Sequence, residues 1–367
     1  MAVSRKFCMV VALMAGLVLT ASAMSESEAD FASFVKRQQL RMDAKKTEGM
    51  GIAGTPPDDG SSSPSPSTPT CIRTVGMEGS GAQYQNVQDA IDSIPESNEE
   101  RCVIRIGEGS FWGKNIVTAK QRYITFEGAG MFKTFLKYND YAEKAGSTSK
   151  SASTAVMSDY FVAKDLTFEN THPPPPGGAV GQQAVAFRIE GDFAQFYRVG
   201  FLGAQDTLYD KKGRHYFKDC YIKGSIDFVF GNGQSYYEYC HLDSIANPGS
   251  GSLTAQKKMT KDENSGFSFV NCKVTGNGPI YLGRAWGPYS RVVLLLTDIS
   301  APIIPAGWYN WGDSSREKKV YYGQYKCTGV GANTEGRVNW SKDLTDEEAA
   351  PFLTWDFVDG HDWITPM

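Results

Sequence analysis

The chain has 367 residues, 41% hydrophobic and 21% charged, enough apolar material for a sizeable core and too much for wholesale disorder. A formal net charge of -4 argues against a nucleic-acid binder, yet leaves a polyanionic substrate open because local charge departs from the total. Four histidines, His172, His215, His241 and His361, make a multi-histidine metal site or an imidazole relay a poor expectation.

The first element is a targeting segment. Arg5 and Lys6 precede the apolar run Phe7 to Thr20, followed by Ala21-Ser22-Ala23, a small-x-small cleavage pattern. Residues 1–23 therefore read as a secretory signal peptide, too short in its apolar run for a membrane span of about 20 residues. Residues 24–70 read as a polar tail ending in a Pro- and Ser-rich linker, and 71–367 as one folded domain. Secretion leaves six cysteines, Cys71, Cys102, Cys220, Cys240, Cys272 and Cys327, which allow up to three bridges or buried thiols. Asn339-Trp340-Ser341 is a glycosylation sequon.

Inside the domain, Val87 to Ile94 has helical spacing of Val87, Ala90, Ile91 and Ile94. Short β-rich runs follow: Cys102 to Ile106, Tyr123 to Phe126, Gln195 to Tyr197, His215 to Phe217, Phe267 to Phe269 and Val292 to Leu296. They repeat. Arg198-Val199-Gly-Phe201, Asp219-Cys220-Tyr-Ile222, Tyr239-Cys240-His-Leu242 and Asn271-Cys272-Lys-Val274 align, with steps of 21, 20 and 32 between positions 199, 220, 240 and 272. A period near 20 with insertions predicts a solenoid of stacked coils, and strands with few helices between them predict a parallel β-helix. A β-sandwich is the structural competitor.

The period has a chemical consequence. Asp206 and Asp227 are 21 residues apart, the same as one repeat step, so stacked coils would set them about 4.8 Å apart along the solenoid. Two carboxylates at that range repel if both ionise, so one is held protonated. That is the arrangement of a general acid beside a carboxylate nucleophile, although a surface pair or turn caps would share the pattern. Gln183 and Gln205 could donate to a developing oxyanion. Arg284 could hold Asp227 by a bidentate contact, and Trp286, two residues on, could stack on a sugar ring. Tyr209, Phe228 and Phe230 read as core or groove wall. No G-x-S-x-G, G-x-x-x-x-G-K-[ST] or G-x-G-x-x-G occurs.

Gln183-Ala-Val-Ala-Phe-Arg188, Gln205-Asp-Thr-Leu-Tyr209, Gly224-Ser-Ile-Asp-Phe-Val-Phe-Gly231 and Leu282-Gly-Arg-Ala-Trp286 resemble the signature blocks of plant-type pectin methylesterases. The resemblance runs from Cys71 to Trp363. It implies an all-β, right-handed parallel β-helix with a short N-terminal helix and a C-terminal extension. It also implies hydrolysis of C6 methyl esters of methyl-esterified homogalacturonan, with no metal or organic cofactor. Carried over, Asp227 is the nucleophile, Asp206 the acid and later base, Gln183 and Gln205 the anion hole, and Arg284 the orienting group. Thr148, Trp286, Phe228 and Tyr209 are the expected substrate contacts. A secreted monomer, regulated by a proteinaceous pectinesterase inhibitor, completes the expectation. Cys71–Cys102 and Cys220–Cys240 are the pairings suggested by coil adjacency. Val199, Gln182 and Ala285 depart from residues common in relatives, namely Cys, His and Pro. A glycosidase on the same scaffold and a non-catalytic wall-binding protein stay open as alternatives.

Overall fold

The computed structural model describes residues 69–246 and 251–367, and the expected signal peptide and nearly all of the tail lie outside them. Strand follows strand in parallel pairing. The ladders fall into a 17-stranded sheet and an 8-stranded sheet. The larger sheet is two ladders that share long strands: Val162–Asn170 and Ala194–Leu202 each turn a corner and continue. Each full coil thus contributes three strands, one per face, and the chain is a parallel β-helix. This agrees with the expected fold class.

The repeat seen in the sequence is one corner of the coil. Asp165, Arg198, Asp219, Tyr239, Asn271, Leu296 and Lys326 all have positive φ, from 47° to 58°. A left-handed residue bends the strand sharply, and Asp and Asn adopt it at least cost among residues with a side chain. The next residue in each case, Leu166, Val199, Cys220, Cys240, Cys272, Thr297 or Cys327, turns towards the interior.

Those cysteines are thiols. Among the described residues the disulfide is Cys71–Cys102, between the first two strands, whose Cα partners they are. Cys220, Cys240, Cys272 and Cys327 are free, which corrects the suggested Cys220–Cys240 bridge. The physical reason is local. Each sulfur sits near a carbonyl one coil back: Cys220 with Phe196 O at 3.6 Å, Cys240 with Phe217 O at 3.5 Å, and Cys272 with Tyr237 O at 3.5 Å. Thr297 Oγ1 donates to Phe269 O in the same way at 3.4 Å. The corner takes a small or aliphatic inward residue, Leu166 and Val199 among them, and where that residue is a cysteine its thiol meets a carbonyl without needing a partner sulfur.

The interior is aromatic. Phe196, Phe217, Tyr237 and Phe269 stack one per coil with centroids 4.5, 4.4 and 4.5 Å apart. That is close to the strand spacing, so each ring covers the next. The Tyr237 hydroxyl would be costly there without a partner. It donates to Asp210 Oδ2 at 2.6 Å, and His215 Nδ1 meets Asp210 Oδ1 at 2.5 Å.

One end and one outer face are covered. The helix Val87–Asp92, capped by Asn86 accepting from Gln88 N at 2.8 Å, buries Val87, Ala90 and Ile91 at the start of the core. After Leu344 the chain folds back as short turns over a ladder whose outer face carries Tyr197, Tyr216 and Tyr236. Tyr197 donates to Thr365 O at 2.6 Å and Tyr236 to Leu353 O at 2.8 Å, so the tyrosines pack their rings and satisfy the strap's carbonyls together. The third face, the 8-stranded sheet, is the one that carries the site.

Candidate active site

The outer face of the 8-stranded sheet shows one residue per coil in register. In order they are Ile116, Ala155, Arg188, Tyr209, Phe230, Ala255, Arg284 and Tyr309. Ala255 presents only a methyl group between Phe230 and Arg284, and a cleft of about 420 Å³ opens there. A larger hollow of about 530 Å³, lined in part by Thr74, Arg105 and Glu127, brings no pair of carboxylates together. The smaller cleft is where the chemistry can occur.

Two of its walls are the predicted aspartates. Gln205 bridges to Ile226, and Asp206 N donates to Ile226 O at 3.0 Å, which sets Asp206 beside Asp227 on the next coil. Both have left-handed backbones, φ 63° and 50°, so both carboxyl groups leave the chain in the same sense. Positive φ on a non-glycine residue costs energy and is held only where neighbours enforce it. Here the parallel ladders on either side do so.

Their environments differ. Asp206 is 8% exposed. Burial raises its carboxyl well above the ordinary carboxylate range, the nearby Asp227 adds to the rise, and Arg284 opposes it. Asp227 is surrounded by donors. Arg284 Nε donates to Oδ1 at 2.8 Å and its Nη2 to Oδ2, while Ser252 Oγ also donates to Oδ1. Asp227 N in turn donates to Ser252 Oγ at 3.0 Å. Among the described residues, Asp206 has lost water and gained no donor, whereas Asp227 has a fork and a hydroxyl. Asp206 is pushed towards its protonated form while donors surround the Asp227 oxygens, an arrangement suited to a proton donor beside a carboxylate nucleophile.

Gln183 and Gln205 line the same cleft. Their backbones are fixed, with Ala142 N donating to Gln183 O at 2.8 Å and Ala184 N to Gln205 O at 3.0 Å. Neither side-chain amide is hydrogen bonded among the described residues, so both are available to an incoming oxygen. Thr148 lies on the wall in a short turn opened by Ser147, which caps Lys150 N. Tyr209 stacks on Phe230 at 4.2 Å, and Trp286 leans on Phe230 at 6.0 Å.

Phe228 is displaced from its expected role. It is fully buried in the core and absent from the cleft wall. The pairing register shifts between Ile226 and Val229 because of the kink at Asp227, which turns Phe228 inward and gives the outer position to Phe230. Ser252, Ala255, Lys257 and Trp311 were not singled out as site residues from sequence. Arg284 lies 4.5 Å below the Trp311 ring, and Lys257 sits 4.1 Å from the Trp286 ring. Departing position Gln182 meets a histidine after all: its Oε1 is 2.8 Å from His172 Nε2.

The pectinesterase family profile matches residues 73–361. The chain belongs to the pectinesterase family. It is 44% identical over 292 residues to pectinesterase QRT1 of Arabidopsis thaliana, covering 77% of this chain and 76% of that one. The structure resembles pectin methylesterase from carrot with a TM-score of 0.76 and 32% identity, over 83% of this chain and 99% of the other. It also resembles pectin methylesterase from Aspergillus niger with a TM-score of 0.70 and 26% identity, over 82% and 98% of the two chains. Pectinesterase membership and the aspartate pair point to carboxylic ester hydrolysis.

Proposed function

We propose that this pectinesterase hydrolyses the C6 methyl esters of galacturonate in pectin, with Asp227 as nucleophile and Asp206 as acid and then base. The observation that carries this reading is the pairing, one coil apart, of a desolvated Asp206 with an Asp227 gripped by Arg284. An Asp227 oxygen attacks the ester carbonyl, and the oxyanion takes hydrogen bonds from the Gln183 and Gln205 amides. The tetrahedral adduct collapses, the bond to methoxide breaks, and Asp206 supplies the proton that makes methanol. Asp206, now a carboxylate, takes a proton from water. The resulting hydroxide attacks the acyl carbonyl, frees Asp227, and leaves galacturonate. The sum is ester plus water giving acid plus methanol, with every protein group restored.

Trp286 and Tyr209 supply flat faces for sugar rings, and Thr148 a hydroxyl on the wall. Secretion to the cell wall belongs to the same proposal and rests on the apolar run after Arg5 and Lys6. Among the described residues no helix is long and apolar enough to cross a membrane. Asn339 is exposed in a turn, as glycosylation requires. A monomer, open to a proteinaceous inhibitor at the cleft, completes the proposal.

The deciding experiment is an assay of the secreted protein on highly methylated pectin, reading methanol and reducing ends together. Methanol without new reducing ends is expected. New reducing ends would favour glycosidic cleavage, and neither product would favour a wall-binding protein.

A further inference from the structure

We infer that Lys257 reads a free carboxylate on a sugar beside the ester being cleaved, so that the site prefers polymer it has already partly demethylated. The inference rests on the esterase reading above and names a charge that reading leaves unused.

The cleft's ionic groups are few. Asp206 and Asp227 are the acids, and Arg284 is committed to Asp227 through Nε and Nη2. Lys257 is the remaining cation of the lining, and the other walls are hydroxyls, amides, aromatic rings and a methyl group. Its backbone N–H donates to Gly231 O at 2.7 Å, which fixes the root of the side chain one coil beyond Asp227. Its ammonium lies 4.1 Å from the centroid of Trp286. Among the described residues it makes no ion pair.

The opposite end of the cleft is different. Lys211 also approaches an aromatic wall, 5.9 Å from Tyr209, but it is paired with Glu190 at 3.0 Å, and Arg188 joins the same carboxylate at 3.2 Å. There two cations share one carboxylate; here a single cation on a half-buried ring has none. An ammonium left without a counter-ion beside a polymer site favours an anionic neighbour. The polymer offers one of two groups at each unit: a neutral methyl ester, or the carboxylate that turnover leaves. Only the second pairs with Lys257. Trp286 would stack the ring while Lys257 receives its carboxylate.

Methanol release is compared on two sets of oligogalacturonates, fully methylated, and otherwise identical but with one free carboxylate. At low salt the wild-type kcat/KM should be about three- to fivefold higher on the mixed set, in keeping with a part-exposed ion pair, and the gap should close in concentrated salt. Lys257→Gln should bring the ratio to about one, and Lys257→Arg should keep it. A wild-type ratio of one overturns the inference. So does a Lys257→Gln variant that loses rate equally on both sets, because Lys257 then only supports Trp286. Absence of methanol from every substrate would instead overturn the esterase reading itself, and this one with it.

Discussion

Arg284 grips Asp227 from two coils away, across Ala255, with Nε to Oδ1 at 2.8 Å and Nη2 to Oδ2. The reach is possible because the intervening coil presents only a methyl group at the position in register with Arg284. The contact therefore depends on a residue with no chemistry of its own.

Removing that fork should be costly. Breaking one side of a largely buried ion pair costs about 3 kcal/mol, which is about 10²-fold in rate if felt wholly in the transition state. Arg284→Ala should therefore lower kcat by about that factor, and Arg284→Lys should recover little of it, because an ammonium cannot fork. Ala255→Leu should move kcat in the same direction with the melting temperature nearly unchanged. Steady-state kinetics and thermal melts on the three variants check this.

Asp206 makes stability depend on pH. Burial, reinforced by Asp227 and opposed by Arg284, raises its folded-state pKa, so the native protein holds a proton that the unfolded chain gives up. The stabilisation from that proton is complete below the unfolded value and is lost as pH rises through the folded value. Asp206→Asn carries no charge at any pH. Its melting temperature should gain on the wild type as pH rises across that window, while turnover falls by about 10²–10⁴-fold. A difference in melting temperature that stayed flat or shrank would contradict the assignment.

The core gives a test of packing. Phe187 is fully buried, with ring centroids 4.3 Å from Phe168, 5.3 Å from Phe196 and 5.6 Å from Phe201. Phe187→Ala should cost about 3–5 kcal/mol, read by denaturant unfolding.

The sulfur chemistry is checkable by peptide mapping. Alkylation without reduction, followed by digestion, should return Cys71 linked to Cys102 and Cys220, Cys240, Cys272 and Cys327 all alkylated once the chain is unfolded. A Cys220–Cys240 linked peptide would show that the corner thiols are oxidised.

Much of this was legible before any coordinates. The left-handed corner forces a recurring pattern, a bend residue followed by a small inward one, and the steps between 199, 220 and 240 expose the coil length. Because Asp206 and Asp227 are one such step apart, their adjacency followed from counting. Counting fails where coils lengthen. Ala255 and Lys257 lie beyond a coil with an insertion, so nothing in the spacing linked them to Asp227 or Trp286. Phe228 misled for another reason: the resemblance carried it to the groove, and the kink at Asp227 turns it into the core. The free thiols were hidden too, because coil adjacency cannot distinguish two sulfurs that bond each other from two that each serve a carbonyl.

The most direct test of the central claim is methanol release from highly methylated pectin by Asp227→Asn, beside wild-type protein of matched fold. With Asp227 as nucleophile, the amide variant should lose at least about 10³-fold in kcat while still binding the polymer. Methanol release within tenfold of wild type would show that another group attacks the ester.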